Sequence, residues 1–207
     1  MPRKMSALLV LSLLAAGCGG PKAEGDPFKR PARPAELAKL DPLVGKWSGT
    51  AEMVEPSPEK MKEMFGADTP TSFEGTMETS WTMDDRVLVS KGGHDMGKSE
   101  RMNMTEYWTW DQHAGKFYNS YVSDWGDHGE SWVTVSDDGR TFTIRGSGVN
   151  MEGKKCKLEG TMTLTDNNNT IEWTWTEKCG LFQKMTLKGT SRKQAGSAQL
   201  SDADGAD

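Results

Sequence analysis

The sequence predicts an all-β fold, an antiparallel up-and-down β-barrel of about ten strands behind a short N-terminal helix. Three observations predict it. Apolar and polar residues alternate at period two in run after run between Lys46 and Ser191. The breaks between runs, at Asp84-Asp85, "DQHAG", "DWGDHG", "SDDG" and "DNNN", are short and made of turn-forming residues. Successive strands should therefore pair as antiparallel hairpins. No long crossover helix intervenes, and a series of about ten strands closes economically into a barrel because closure removes the sheet edges. A two-sheet sandwich is the competing architecture.

The elements follow in order. "PAELAKLDPLVGKW" begins as a short helix, with Pro34 in the first turn, Leu37 and Leu40 on one face, and Asp41-Pro42 as the stop. In "KWSGTAEM", Trp47, Gly49, Ala51 and Met53 face one way while Lys46, Ser48, Thr50 and Glu52 face the other. "EPSPEKMKEMFG" suits a short helix in the next connection, and "SFEGTMETSWTM" then alternates with Phe73, Gly75, Met77 and Trp81 together. Further strands are expected at "RVLVS", "RMNMTEYWTW", "KFYNSYVS", "ESWVTVS", "RTFTIRG", the two arms of a cysteine-bracketed hairpin, and "FQKMTLKGTS".

That hairpin is "CKLEGTMTLTDNNNTIEWTWTEKC". Folded about the midpoint of Asn167 and Asn168, it sets Cys156 opposite Cys179, Leu158 opposite Glu177, Gly160 opposite Trp175, Met162 opposite Trp173 and Leu164 opposite Ile171. Register and apolar face agree, and Gly160 leaves room for the Trp175 ring. Opposed residues have Cα atoms about 4.5–5.5 Å apart, within the span of a disulfide. A redox or metal role would want CxxC spacing or a neighbouring histidine, and neither is present. Cys156 and Cys179 are therefore expected to form a structural staple.

The chain ends differ in composition from the strands. "MPRKMSALLVLSLLAAGCGG" has Arg3 and Lys4, then an apolar run too short to span a bilayer, then small residues, the pattern of a signal peptide over 1–17. Its "LAAGC" resembles the lipobox of bacterial lipoproteins, which implies that Cys18 carries a lipid and that the membrane is a partner through this anchor. Gly19 after it implies outer-membrane retention in a Gram-negative host. Residues 18–33, rich in Gly, Pro and charge, have the composition of a tether, and the acidic residues 194–207 that of a disordered tail. The barrel domain is placed at 34–193. Net charge is −5 before the signal peptide's basic residues are removed, and Lys and Arg are interspersed with Asp and Glu. No basic footprint for nucleic acid exists, and that class is set aside.

The short helix leading into Gly45-Lys46-Trp47, with Arg192 near the end of the last strand, resembles lipocalins and other calycin barrels. In that pattern the Arg covers the Trp and closes the barrel floor. More narrowly, "YWTWDQHAGKFYNSYVSD" and "KMTLKGTSRK" look like a family of bacterial secreted and lipoprotein barrels described as lipocalin-like and of unknown function. "MDDRVLVSKGG" departs from that pattern, which would have Gly-Gly before the Arg, and "TWD" stands where Gly-Tyr-Asp is usual. Nitrobindin-type relatives bind haem through a histidine near the C-terminus. This chain has none there, so no cofactor is expected.

The inward faces should carry Met77, Trp81, Met104, Trp108, Trp110, Met162, Trp173 and Trp175 beside Trp47. Such a lining suits a small apolar or amphiphilic ligand, and equally a core filled by its own side chains. Both readings stand at this point. Glu106 shares the face of Met104, Trp108 and Trp110, so alternation points a carboxylate inward, unless a β-bulge or a barrel-mouth position places it in water. It is the candidate to orient a ligand's polar group. His94, Met96, Met102 and Met104 are a weaker candidate set for a soft metal, and Asp124, Asp127, His128 and Glu130 more simply make a solvated turn. There is no G-x-S-x-G, H-E-x-x-H or phosphate loop, and catalysis is not the expectation. The function expected is a cell-envelope lipoprotein whose barrel binds a small ligand. A structural or partner-docking lipoprotein with a filled barrel is the alternative.

Overall fold

The computed structural model of the protein describes residues 30–97, 100–180 and 183–196. The segment expected to be a signal peptide, Cys18, most of the expected tether and nearly all of the acidic C-terminal segment lie outside the described residues. Arg33 begins the compact unit that holds every element.

A 3-10 helix, Ala35–Leu43, comes first. It does not stop at Pro42 as its sequence suggests, because packing favours its continuation. With three residues per turn, Leu37, Leu40 and Leu43 fall on one line, and all three are buried. Then come β1 (Gly45–Glu55), α1 (Pro58–Phe65), β2 (Ser72–Thr82), β3 (Val87–Gly97), β4 (Glu100–Asp111) and β5 (Lys116–Ser123). β6 (His128–Val135), β7 (Thr141–Val149), β8 (Lys155–Thr165), β9 (Thr170–Cys179) and β10 (Gln183–Lys193) complete the series. Ser57 caps α1, its hydroxyl accepting from the backbone N–H of Lys60.

Every strand pairs antiparallel with its sequence neighbour, and β1 closes on β10 into a ten-stranded barrel rather than a sandwich. Two hairpins turn on left-handed backbone. Met83, Asp84 and Asp85 have φ of 52°, 54° and 58° between β2 and β3. Asp166, Asn167 and Asn168 repeat the device between β8 and β9. Asp and Asn accept this region at lower cost than other non-glycine residues, which explains the acidic and amide turn tips. The β8–β9 register is the one read from the sequence, Cys156 opposite Cys179 through Leu164 opposite Ile171, and the disulfide is formed.

The 3-10 helix stoppers the barrel's lower end, where its leucines pack with Trp47, Leu88, Trp108, Phe117, Val133, Phe142 and Leu164. Its carbonyls are held from the wall. Trp47 Nε1 donates to the Leu43 carbonyl at 2.8 Å, and Lys193 Nζ to that of Pro42 at 3.1 Å. Trp81 Nε1 donates to Asp41 at 2.9 Å, and Arg33 both pairs with Asp41 and lies over the Trp81 ring, 4.5 Å from its centroid. The cation above Trp47 is Lys193, 5.1 Å from the ring, and not Arg192. The reason is register: Trp47 is opposite Lys193, so Lys193 shares its face, while Arg192 is one residue off and exposed on the outer face.

Two predictions follow from this frame. The paired substitutions Cys156→Ala and Cys179→Ala should lower stability in urea unfolding by about 3 kcal/mol while leaving the strand content intact, since the bond closes a 23-residue separation; an unchanged midpoint would show that the staple is idle. Lys193→Ala should destabilise by about 1–2 kcal/mol through its lost ring and carbonyl contacts. Arg192→Ala should stay within about 0.5 kcal/mol of the parent, and equal losses at both positions would contradict the floor assignment.

Candidate functional site in the upper barrel

Below mid-height the barrel is packed. Trp108 meets Phe142 edge-on at 6.4 Å, Trp110 meets Phe117 at 4.9 Å, and Trp81 is tied to Asp41. These three sequence-predicted lining residues therefore belong to the floor. Higher on the inner face Met104, Glu106, Trp173 and Trp175 are half-buried, while Met77, directly across from Trp47, and Met162, directly across from Phe142, pack against the floor cluster. Along the axis the fully buried side chains of the lower cluster give way to half-buried ones.

Glycines help to produce that change. Directly across the ladder, Trp173 faces Gly189, Trp175 faces Gly160 and His94 faces Gly75. A Cβ at Gly189 would stand 2.3 Å from Trp173 ring carbons, one at Gly160 2.8 Å from Trp175, and one at Gly75 2.5 Å from His94 Nδ1. Each ring is thus pressed against the wall in a notch that only glycine leaves, instead of crossing the lumen. The Tyr121 ring reaches across from β5 and meets Trp175 of β9 edge-on at 6.3 Å.

Glu106 points inward. The pairing of β4 with β3 and β5 runs through it without a bulge, opposite Ser90 and Tyr121. Burial raises its pKa above the ordinary carboxylate value; Trp108 Nε1, donating at 3.4 Å, and the nearby Asn119 amide act against that shift. Asn119 lies close to the carboxylate, but its Nδ2 makes no hydrogen bond of good geometry, and Ser131 Oγ is likewise without a partner. Both residues are only 2% exposed. Thr79 and Ser90 satisfy each other at 2.9 Å. A polar belt therefore crosses the inner wall from β2 to β6, and its Asn119–Ser131 end is unsatisfied. Alternation in "KFYNSYVS" places Asn119 beside Phe117 and Tyr121, a signal the sequence reading passed over.

Other candidates disperse. Met96 packs with Ala51, Met53 and Phe73, while Met104 packs with Tyr121 and Leu158, so of the methionines proposed with His94 for a soft metal these two sit in separate clusters and Met102 lies directly across the ladder from His94. Burial lowers the pKa of His94, and neighbouring Arg101 adds to the effect. In the β5–β6 turn each group is committed elsewhere. Asp124 accepts from Asn103 N and Nδ2, Ser123 Oγ donates to Asp127, the His128 ring faces the Gly126 carbonyl, and Tyr118 donates to Glu130. Cys156, Glu177 and Cys179 converge, but the disulfide occupies both sulfurs. A recess of about 450 Å³ lies at the upper rim between Gly66–Pro70 and Met96, Gly97 and Glu100. It contains neither Glu106 nor a buried polar group lacking a partner, so the barrel interior is the stronger candidate.

Rv2717c from M. tuberculosis has a similar structure, with a TM-score of 0.59 at 14% identity over 79% of this chain and 99% of that one. A redesigned beta barrel aligns with a TM-score of 0.40 at 12% identity, over 76% and 94% of the two chains. The first likeness is one of fold alone. A comparison with curated proteins finds no match. Residues 34–192 match the family described as "Protein of unknown function (DUF1579)", and the chain belongs to that family.

Proposed function

We propose that the protein is an envelope lipoprotein, anchored through Cys18, whose lipocalin-like barrel receives a small apolar or amphiphilic molecule in its upper lumen. One observation carries the reading. Asn119 Nδ2 and Ser131 Oγ are buried without a hydrogen-bond partner inside an apolar barrel, on the strands that follow Glu106, whose carboxylate accepts at 3.4 Å from Trp108 Nε1. A barrel evolved only to be filled has no use for such a group, because each unsatisfied polar atom is destabilising by about 1–3 kcal/mol. A ligand's polar end supplies the missing partners while its apolar body lies against Met104, Trp173 and Trp175. The lipobox-like "LAAGC" and the Gly/Pro-rich stretch after it support the anchor.

Native mass spectrometry of the full-length protein taken from its host's envelope and freed of detergent should show one discrete non-covalent adduct. Denaturation should release that mass, and Glu106→Gln should reduce its occupancy by about tenfold. A bare protein mass, unaltered by Glu106→Gln, would contradict the reading and favour the filled, partner-docking barrel.

A further inference from the structure

We propose that the occupant of the upper lumen is a cation, an amphiphilic or aromatic amine or quaternary ammonium whose charged group sits between Glu106 and Glu177 against the Tyr121 and Trp175 rings. This rests on the reading above and adds the sign of the ligand's charge.

The geometry is set by register. Glu106 is directly opposite Tyr121 on the inner face. Tyr121 crosses to Trp175, and Glu177 is the next inward residue after Trp175 on β9. The two carboxyl groups therefore approach the tyrosine from opposite sides of the barrel. The other groups facing this space are Ser90 of β3, Ser131 and Gly129 of β6, Leu158 and the Cys156 sulfur of β8, and Asp127 of the β5–β6 turn. None of them is basic. His94, higher on β3, is driven toward its neutral form by burial and by Arg101.

Several basic residues of the upper barrel form ion pairs on its outside. Arg101 pairs with Asp95, Lys154 with Glu152, Lys178 with Glu159 and Lys184 with Glu55. Lys193 points inward but belongs to the floor, over Trp47. Among the described residues, no cation meets Glu106 or Glu177. Burial raises both carboxyl groups, and nearby Asp127 raises Glu177 further, so each ionises less readily than a free glutamate and would ionise more readily beside a cation. A fatty-acid carboxylate would add a third acid to this space. An ammonium restores the balance and meets aromatic faces that attract it. The unpartnered Asn119 and Ser131 beside Glu106 show that this part of the wall is unfinished without a ligand. Taking up a cation ionises Glu106, so affinity rises as pH rises through that group's elevated pKa, with proton release.

The test titrates the full-length protein with decyltrimethylammonium, decanoate and decan-1-ol below their micelle concentrations, following tryptophan fluorescence. The cation should bind at least about tenfold more tightly than decanoate and more tightly than the alcohol. Glu106→Gln and, independently, Glu177→Gln should each weaken the cation about tenfold while leaving decanol within about twofold. Glu159→Gln on the outer face should change neither, which separates the lumen from general surface charge. Equal binding of cation and alcohol, tightest binding of decanoate, or equal sensitivity to Glu159→Gln overturns the cation assignment and leaves the ligand-binding reading intact. No binding of any probe by folded protein overturns both.

Discussion

The closure of β1 on β10 is the constraint from which the rest follows, because it gives the sheet an inside. An open meander would have left a row of unpaired backbone groups on each edge and a single buried face. Closed, the same alternation sends every second side chain into a common volume. Trp47 and Lys193, first and last on the inner face, meet at the seam and together hold the carbonyl end of the 3-10 helix. One end of the barrel is stoppered by this contact, so access to the interior is left to the other.

Two opposing demands then act on the inner wall. Large rings supply most of the buried apolar area, and rings crossing a ten-stranded barrel would fill it. Below mid-height they do, with Trp108 against Phe142 and Trp110 against Phe117. Above it, Gly75, Gly160 and Gly189 let their opposite rings lie back against the sheet. The same inner wall carries Glu106 and the unpartnered Asn119 and Ser131, a local destabilisation that the floor, the ladder and the disulfide outweigh. Two buried polar atoms without partners are a trade that stability alone does not favour.

Much of this was legible in the chain. Strand order, the hairpin register about Asn167 and Asn168, the disulfide and the inward Glu106 all follow from alternation, which is a local property. What could not be read was non-local. Trp47 lies opposite Lys193 and not Arg192 because of how the first and last strands meet across the whole sequence, and a shift of one residue reverses the face. The same limit hid which tryptophans stack into the floor, since pairs such as Trp108–Phe142 join strands that are not neighbours. The run of the 3-10 helix through Pro42 was decided by the burial of Leu43, where packing overrode a local stop signal. Asn119 was visible as a polar residue on an apolar face, but only the folded barrel shows that its amide lacks a partner.

The most direct test of a buried carboxyl group without a counter-ion in the upper barrel is the titration of Glu106 itself, followed by carboxyl carbon NMR in the ligand-free protein and assigned by its loss in Glu106→Gln. A midpoint clearly above the ordinary glutamate value of about 4.3 is predicted. Because Glu106 then holds its proton more tightly when folded, stability present at low pH should be lost as pH rises from that ordinary value through the folded midpoint. A midpoint at or below the ordinary value would mean that the carboxylate is solvated or already paired, and would contradict the account.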